Sequence, residues 1–210
     1  MPTFNSTLDT RSAKFQKNKA AMLEMTELME ELLLEASQGG GDEATERLRS
    51  RGKLPIRERM SLLLDPDSPF LEISALAAWR SPFNIGSGFV VGIGVVEGIE
   101  CLIMCHEPSV RAGAFNNFNM KKLMRGLEIA RENRLPYIQF VESAGADLRG
   151  ETGQDPEAAI KREEDHFGES GRLFYDITEL SKLRIPTISL VFGSSTAGGA
   201  YQPGMSDYNI

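Results

Sequence analysis

The same order of residue types occurs twice in this chain. A helical stretch, Met120 to Arg131, leads through Arg134-Leu135-Pro136 to an apolar run, Tyr137 to Val141, and then to a small-residue turn, Glu142-Ser143-Ala144-Gly145-Ala146-Asp147. Fifty positions on, the end of a helix at Leu180 to Leu183 leads through Arg184-Ile185-Pro186 to Thr187–Phe192 and the turn Gly193 to Gly199. Proline cannot continue a helix, and the β-branched, apolar runs after it are short enough to be buried strands. Two such units predict an α/β fold in which parallel strands lie side by side. Both small-residue turns then stand at the carboxyl ends of the strands, where open α/β sheets take their ligands.

The second turn is the sharper candidate. Ala197, Gly198, Gly199 and Ala200 leave little side chain between the backbone and a ligand. The amides that open a following short helix point outward and form an anion or oxyanion site. Tight packing alone would account equally well for the glycines. A third loop, Ser109-Val110-Arg111-Ala112-Gly113-Ala114, follows another strand.

Upstream, Arg11 to Ser37 is rich in strong helix formers, with an apolar stripe of Met22, Met25, Leu28, Met29 and Leu32. A helix that long packs either on a partner subunit or on a ledge of its own chain. Gln38-Gly39-Gly40-Gly41 stops it, a second helix runs from Asp42 to Arg51, and a third opens near Pro55. These helices make residues 1–64 an N-terminal helical extension to a domain at 65–210. Arg47, Arg49, Arg51, Lys53, Arg57 and Arg59 crowd together in a chain whose formal net charge is -7. They read either as a solvated helix face with glutamate partners or as a phosphate-binding patch.

Phe70 to Ala78 is a strand candidate. Phe89–Val96 and Cys101–His106 form a hairpin around Glu97-Gly98-Ile99-Glu100. Gly86 and Gly88 are followed by a strand instead of a helix, which rejects a dinucleotide-binding loop. Cys101 and Cys105 fall on one strand face as reduced core thiols, and His106 reads as structural. The charged stretch 149–168, with Asp155-Pro156-Glu157 and Glu163 to Gly168, reads as a solvated excursion; its carboxylates and His166 fit no compact metal set. The acidic charge argues against nucleic-acid and membrane partners, and no segment has signal-peptide or membrane-spanning character, which places the protein in the cytoplasm.

Taken in order, several motifs resemble the carboxyltransferase (beta) subunits of biotin-dependent acyl-CoA carboxylases. They are Gly39-Gly40-Gly41, Arg51-Gly52-Lys53-Leu54, Asp65 to Glu72, the glycine-spaced strand at 86–98, Val110 to Ala114, Glu142 to Ala146, Asp165 to Gly168 and Ser195 to Tyr201. Asp165 to Gly168 paired with Leu173-Phe174-Tyr175, and Ser195 to Tyr201 with Pro203, are similar to the methylcrotonoyl-CoA and geranyl-CoA branch. Glu142-Ser143-Ala144 stands where that branch usually carries Asp-Ser-Gly, and Phe115-Asn116-Asn117-Phe118 departs from its aromatic pattern.

The resemblance implies the N-terminal part of a crotonase-like spiral of ββα units, in a family whose subunits continue into a second such domain. It implies carboxyl transfer from carboxybiotin, carried by a partner subunit, to an acyl-CoA through a thioester enolate. Gly198 and Gly199, with Ala144 and Gly145, are the implied oxyanion donors. Arg51, Lys53, Arg111, Ala112, Gly113, Ala114 and Ala197 are the implied acyl-CoA contacts, and biotin carboxylase, the biotin carrier and further copies of the chain are the implied partners. A non-catalytic CoA-binding or assembly module, or a crotonase-type hydratase or decarboxylase, is the alternative. A hydratase would draw its acid and base from Glu142 and Asp147.

Overall fold

The computed structural model describes residues 6–147 and 171–210, so the excursion at 149–168 and its Asp165 to Gly168 motif lie outside the described residues. Among the described residues one mixed sheet runs in the order β1 (Leu71–Glu72), β2 (Phe89–Val96), β3 (Ile99–His106), β4 (Tyr137–Ser143), β5 (Thr187–Ser195) and β6 (Tyr208–Asn209). β1, β2 and β3 pair antiparallel, and β3 to β6 pair parallel.

The doubled unit is present in three dimensions. α4 (Asn117–Asn133) precedes β4, and a second helix, α5 (171–182), precedes β5. In both units the arginine takes the left-handed conformation, Arg134 at φ 56° and Arg184 at φ 60°. The next residue donates its amide five positions back, Leu135 to Ala130 O at 2.9 Å and Ile185 to Leu180 O at 3.0 Å. This is the helix stop of the Schellman type. The proline then ejects the chain into the sheet, and Tyr137 pairs with Thr187 in parallel register. α4 starts before the expected Met120 because Asn116 caps it: its side chain accepts from the Phe118 and Asn119 amides, while Asn119 Oδ1 accepts from the Asn116 amide.

Alternation along the strands sorts side chains to two faces. Phe89, Val91, Leu102, Met104 and Tyr137 meet Leu123 and Leu127 of α4 and Ile177 and Leu180 of α5 on one side. Val90, Cys101, Ile103, Cys105, Ile138 and Phe140 meet Ile56 and Met60 of α3 (Ile56–Leu63) on the other. The two cysteines share a face, are buried and are unpaired, as the spacing predicts.

Three expectations need correction. The hairpin turn is only Glu97-Gly98, both at positive φ, because the Asp65 carboxylate accepts from the two turn amides at 2.7 and 2.8 Å and lets Ile99 and Glu100 join β3. The strand expected over Phe70 to Ala78 shrinks to β1, since Ser74, Ala78 and Arg80 all adopt positive φ and turn the chain away. Thr187–Phe192 is not buried throughout: β6 pairs only Ile188 and Ser189, leaving Val191 and Phe192 about 40% exposed.

α2 (Asp42–Arg49) and α3 lie against the body, with Leu48, Ile56 and Met60 buried. α1 (Ala13–Ser37) buries only Ala36. No helix among the described residues is long and apolar enough to cross a membrane.

Candidate active site

Parallel pairing of β3, β4 and β5 brings the three small-residue loops to one end of the sheet, where backbone hydrogen bonds join them. Ala144 donates to Ala112 O at 3.0 Å, Phe115 to Gly145 O at 2.8 Å, Asp147 to Phe115 O at 2.8 Å, and Thr196 to Ser143 O at 3.0 Å. Ser143 Oγ donates to Gly113 O at 3.0 Å. Gly113 is required by this closeness: at φ 67° it would carry a Cβ 2.2 Å from Glu142 O. It thus forms the seam between loops and lines neither hollow described below. Arg111 and Ala112, at φ 48° and 55°, share the left-handed conformation without being glycine. Non-glycine residues hold that conformation at an energetic cost, and such positions cluster at functional sites.

Between these loops and the basic segment lie two adjoining hollows of about 510 and 540 Å³. Leu48, Arg51, Pro108, Ala112 and Ala144 line both. Arg111 and Ala114 extend the first, and Lys53, Glu142, Ser194 and Thr196 extend the second. The expected contacts Arg51, Lys53, Arg111, Ala112 and Ala114 are thus brought together around one cleft, with Ala144 from the expected donor set.

The cations of the basic segment divide unequally. Arg47 pairs with Glu43, Arg49 with Glu58, and Arg57 with Glu72. Lys53 and Arg59 both pair with Glu142, Arg59 at 3.0 Å. Arg51 is exposed and has no carboxylate partner among the described residues. Glutamate partners thus account for five of the six side chains, Arg51 being the exception. Arg111, expected as an acyl-CoA contact, bonds Asp147 at 2.8 Å and stacks over Phe83 at 4.7 Å.

The four expected oxyanion donors also divide. Ala144 N–H donates to Ala112 O, Gly145 N–H to Ser143 Oγ at 3.1 Å, and Gly199 N–H to Thr196 O at 2.9 Å. Among the described residues the Gly198 amide has no acceptor, and nothing lies within 4 Å of where its Cβ would be. Gly199 is buried, and a Cβ there would stand 3.0 Å from both Ser143 Cβ and Ser195 Oγ. The packing reading thus describes Gly199 and the open-amide reading Gly198. The Ala112 amide is likewise without an acceptor among the described residues. Ala197, at φ 47°, lies beside Gly145.

Sequence reasoning missed what supports these loops. Glu142 was weighed as an acid or base, yet two cations engage its carboxylate while its amide donates to His106 Nδ1 at 3.1 Å. Lys122 is buried, donates from Nζ to Phe89 O at 2.7 Å and is pushed down to about 8 by burial. Its place on the buried side of α4 was the available signal. His106 is buried and packs against Phe89 and Phe115, its Nε2 without a hydrogen-bond partner among the described residues.

Burial pushes His106 down to about 3 from an ordinary 6.5, and its accepting Nδ1 keeps that nitrogen unprotonated. Below pH 6.5 the unfolded imidazole gains a proton that the folded one refuses until about pH 3, so stability falls as pH drops through that window. Between pH 6.5 and 4.5 the wild-type chain should lose roughly 1 kcal/mol per pH unit more than His106→Phe. Parallel stability curves for the two proteins would refute this.

A family profile described as "Carboxyl transferase domain" matches residues 47–210. A probable biotin-dependent acyl-coenzyme A carboxylase beta2 subunit of Mycobacterium tuberculosis is 46% identical over 98% of this chain and 36% of its own length. A probable mitochondrial methylcrotonoyl-CoA carboxylase beta chain of Drosophila melanogaster is 41% identical over 98% of this chain and 35% of its own. The crystal structure of the P. aeruginosa geranyl-CoA carboxylase beta subunit superposes with a TM-score of 0.81 at 38% identity, covering 99% of this chain and 38% of that one. The chain therefore spans little more than a third of the length of these relatives.

Proposed function

The chain belongs to the carboxyl transferase domain family, and from that premise we propose that it supplies the acyl-CoA half of a biotin-dependent carboxylation site. The observation that carries this reading is the cleft itself: three small-residue loops face Arg51, a cation with no carboxylate partner among the described residues. A guanidinium binds phosphate by paired charge-assisted bonds, and small residues let the thioester reach backbone amides.

Removal of a proton from the carbon acidified by the thioester leaves negative charge on the thioester oxygen. An amide aimed at that oxygen stabilises the enolate without titrating. Gly198, just past Ser194 and Thr196 of the cleft wall but itself lining neither hollow, is the donor we assign, and Ala112, which lines both, is a second open amide. The carboxyl group arrives on carboxybiotin from a carrier partner, and no residue of this chain is assigned to biotin. Relatives named for methylcrotonoyl-CoA and geranyl-CoA support a branched enoyl-CoA as substrate. A biotin carboxylase and carrier as partners, further copies of the chain, and a cytoplasmic setting suited to two reduced cysteines belong to the same proposal.

A hydratase reading is disfavoured because Glu142 and Asp147 are both engaged in ion pairs. An assembly module without CoA affinity is distinguished by calorimetric titration with CoA. Arg51→Glu should weaken binding about 10- to 100-fold, the worth of one or two charge-assisted contacts, and more steeply at low salt. Superimposable titrations of wild type and Arg51→Glu would remove the CoA reading.

A further inference from the structure

We propose that α1 is a self-association surface that pairs antiparallel with α1 of a second copy of this chain. Along α1 only Ala36 is buried, while Met22, Met25, Leu28 and Met29 are 45–65% exposed, and Leu23, Leu33 and Leu34 are exposed beside them. A helix of this length has little stability alone in water, so its apolar side needs a cover. Phe15, Asn18, Met22, Met25, Met29 and Leu32 follow an alternating three- and four-residue spacing, the seam of a two-helix coiled coil.

Charge identifies the occupant. Arg11, Lys14, Lys17 and Lys19 precede Met22 with no acidic residue among them. Glu24, Glu27, Glu30, Glu31 and Glu35 follow it with no basic residue among them. A parallel pair would set like charges together at both ends. An antiparallel pair lays each basic half on an acidic one, with the two-fold axis near Met22 and Met25. In that register Phe15 meets Leu32 of the partner subunit, and Lys14, flanking the seam, meets Glu35 of the partner subunit. The pairing is self-complementary, as a two-fold contact requires.

The test is disulfide trapping of the purified chain under a mild oxidant. Lys14 and Glu35 are about 32 Å apart along one helix, too far to be joined within a chain. The Lys14→Cys/Glu35→Cys double variant should give a covalent dimer, and neither single variant should. A second measurement does not depend on thiols. Lys14→Glu/Lys17→Glu/Lys19→Glu and Glu30→Lys/Glu31→Lys/Glu35→Lys should each lose self-association in sedimentation velocity, and mixing the two should restore a dimer. Cross-linking by a single variant, no cross-link in the double variant, or a mixture that stays unassociated would each overturn the proposal.

Discussion

Glu142→Ala should destabilise the chain by about 3–5 kcal/mol, the largest loss expected from any single side chain around the cleft. The reason is the group left behind. The Arg59 side chain is 6% exposed, and its guanidinium is fixed by Leu54 O at 2.7 Å and by the Phe192 ring at 4.9 Å. Without Glu142 it is a buried cation with no direct ion-pair partner among the described residues, whereas Lys53, 31% exposed, can turn to water. For a chain of this size the loss corresponds to roughly 6–20 °C in Tm.

A second substitution separates an orphaned charge from lost packing. Adding Arg59→Met to Glu142→Ala should recover most of the loss, because the apolar replacement needs no partner. If Glu142→Ala alone shifts stability by less than about 1 kcal/mol, the carboxylate is not what holds the basic segment to β4. The same variant reports on function, since Glu142 directly precedes Ser143 and Ala144, whose backbone joins the three loops.

What was legible in the sequence was local. A basic residue, an apolar residue and a proline after a helix specify a left-handed stop and an exit into a strand within a few positions, and both copies fold that way at Arg134 and Arg184. Parity along β3 placed Cys101 and Cys105 together, and parallel strands placed the loops at one end. What was not legible depends on distant partners. Lys53 and Arg59 find Glu142 across more than eighty residues, so no window of sequence separates them from Arg51, which finds no carboxylate. Trp79 and its neighbours look as strand-like as β1, but positive φ at Ser74 and Ala78 belongs to a turn that no glycine announces.

Gly198 and Gly199 are the plainest case of this limit, for they are adjacent, chemically identical and oppositely placed, and they yield opposite predictions. Gly199→Val should impair folding: the first added carbon meets Ser143 and Ser195 at 3.0 Å, and overpacking of this kind costs about 1–3 kcal/mol. Gly198→Val should leave the melting temperature near that of the wild type, since its added carbon meets nothing within 4 Å. Under the proposed function its effect falls on the ligand, because the added side chain would crowd the approach to the open amide. Carboxylation of acyl-CoA, assayed with a biotin carboxylase and carrier supplied, should fall about 100- to 1,000-fold, the usual consequence of losing one oxyanion donor. Circular dichroism on heating and the initial carboxylation rate give the two quantities independently. Near-normal turnover in a well-folded Gly198→Val would show that the enolate is held by another amide, and that of Ala112, which lines the cleft, would then be the donor to remove.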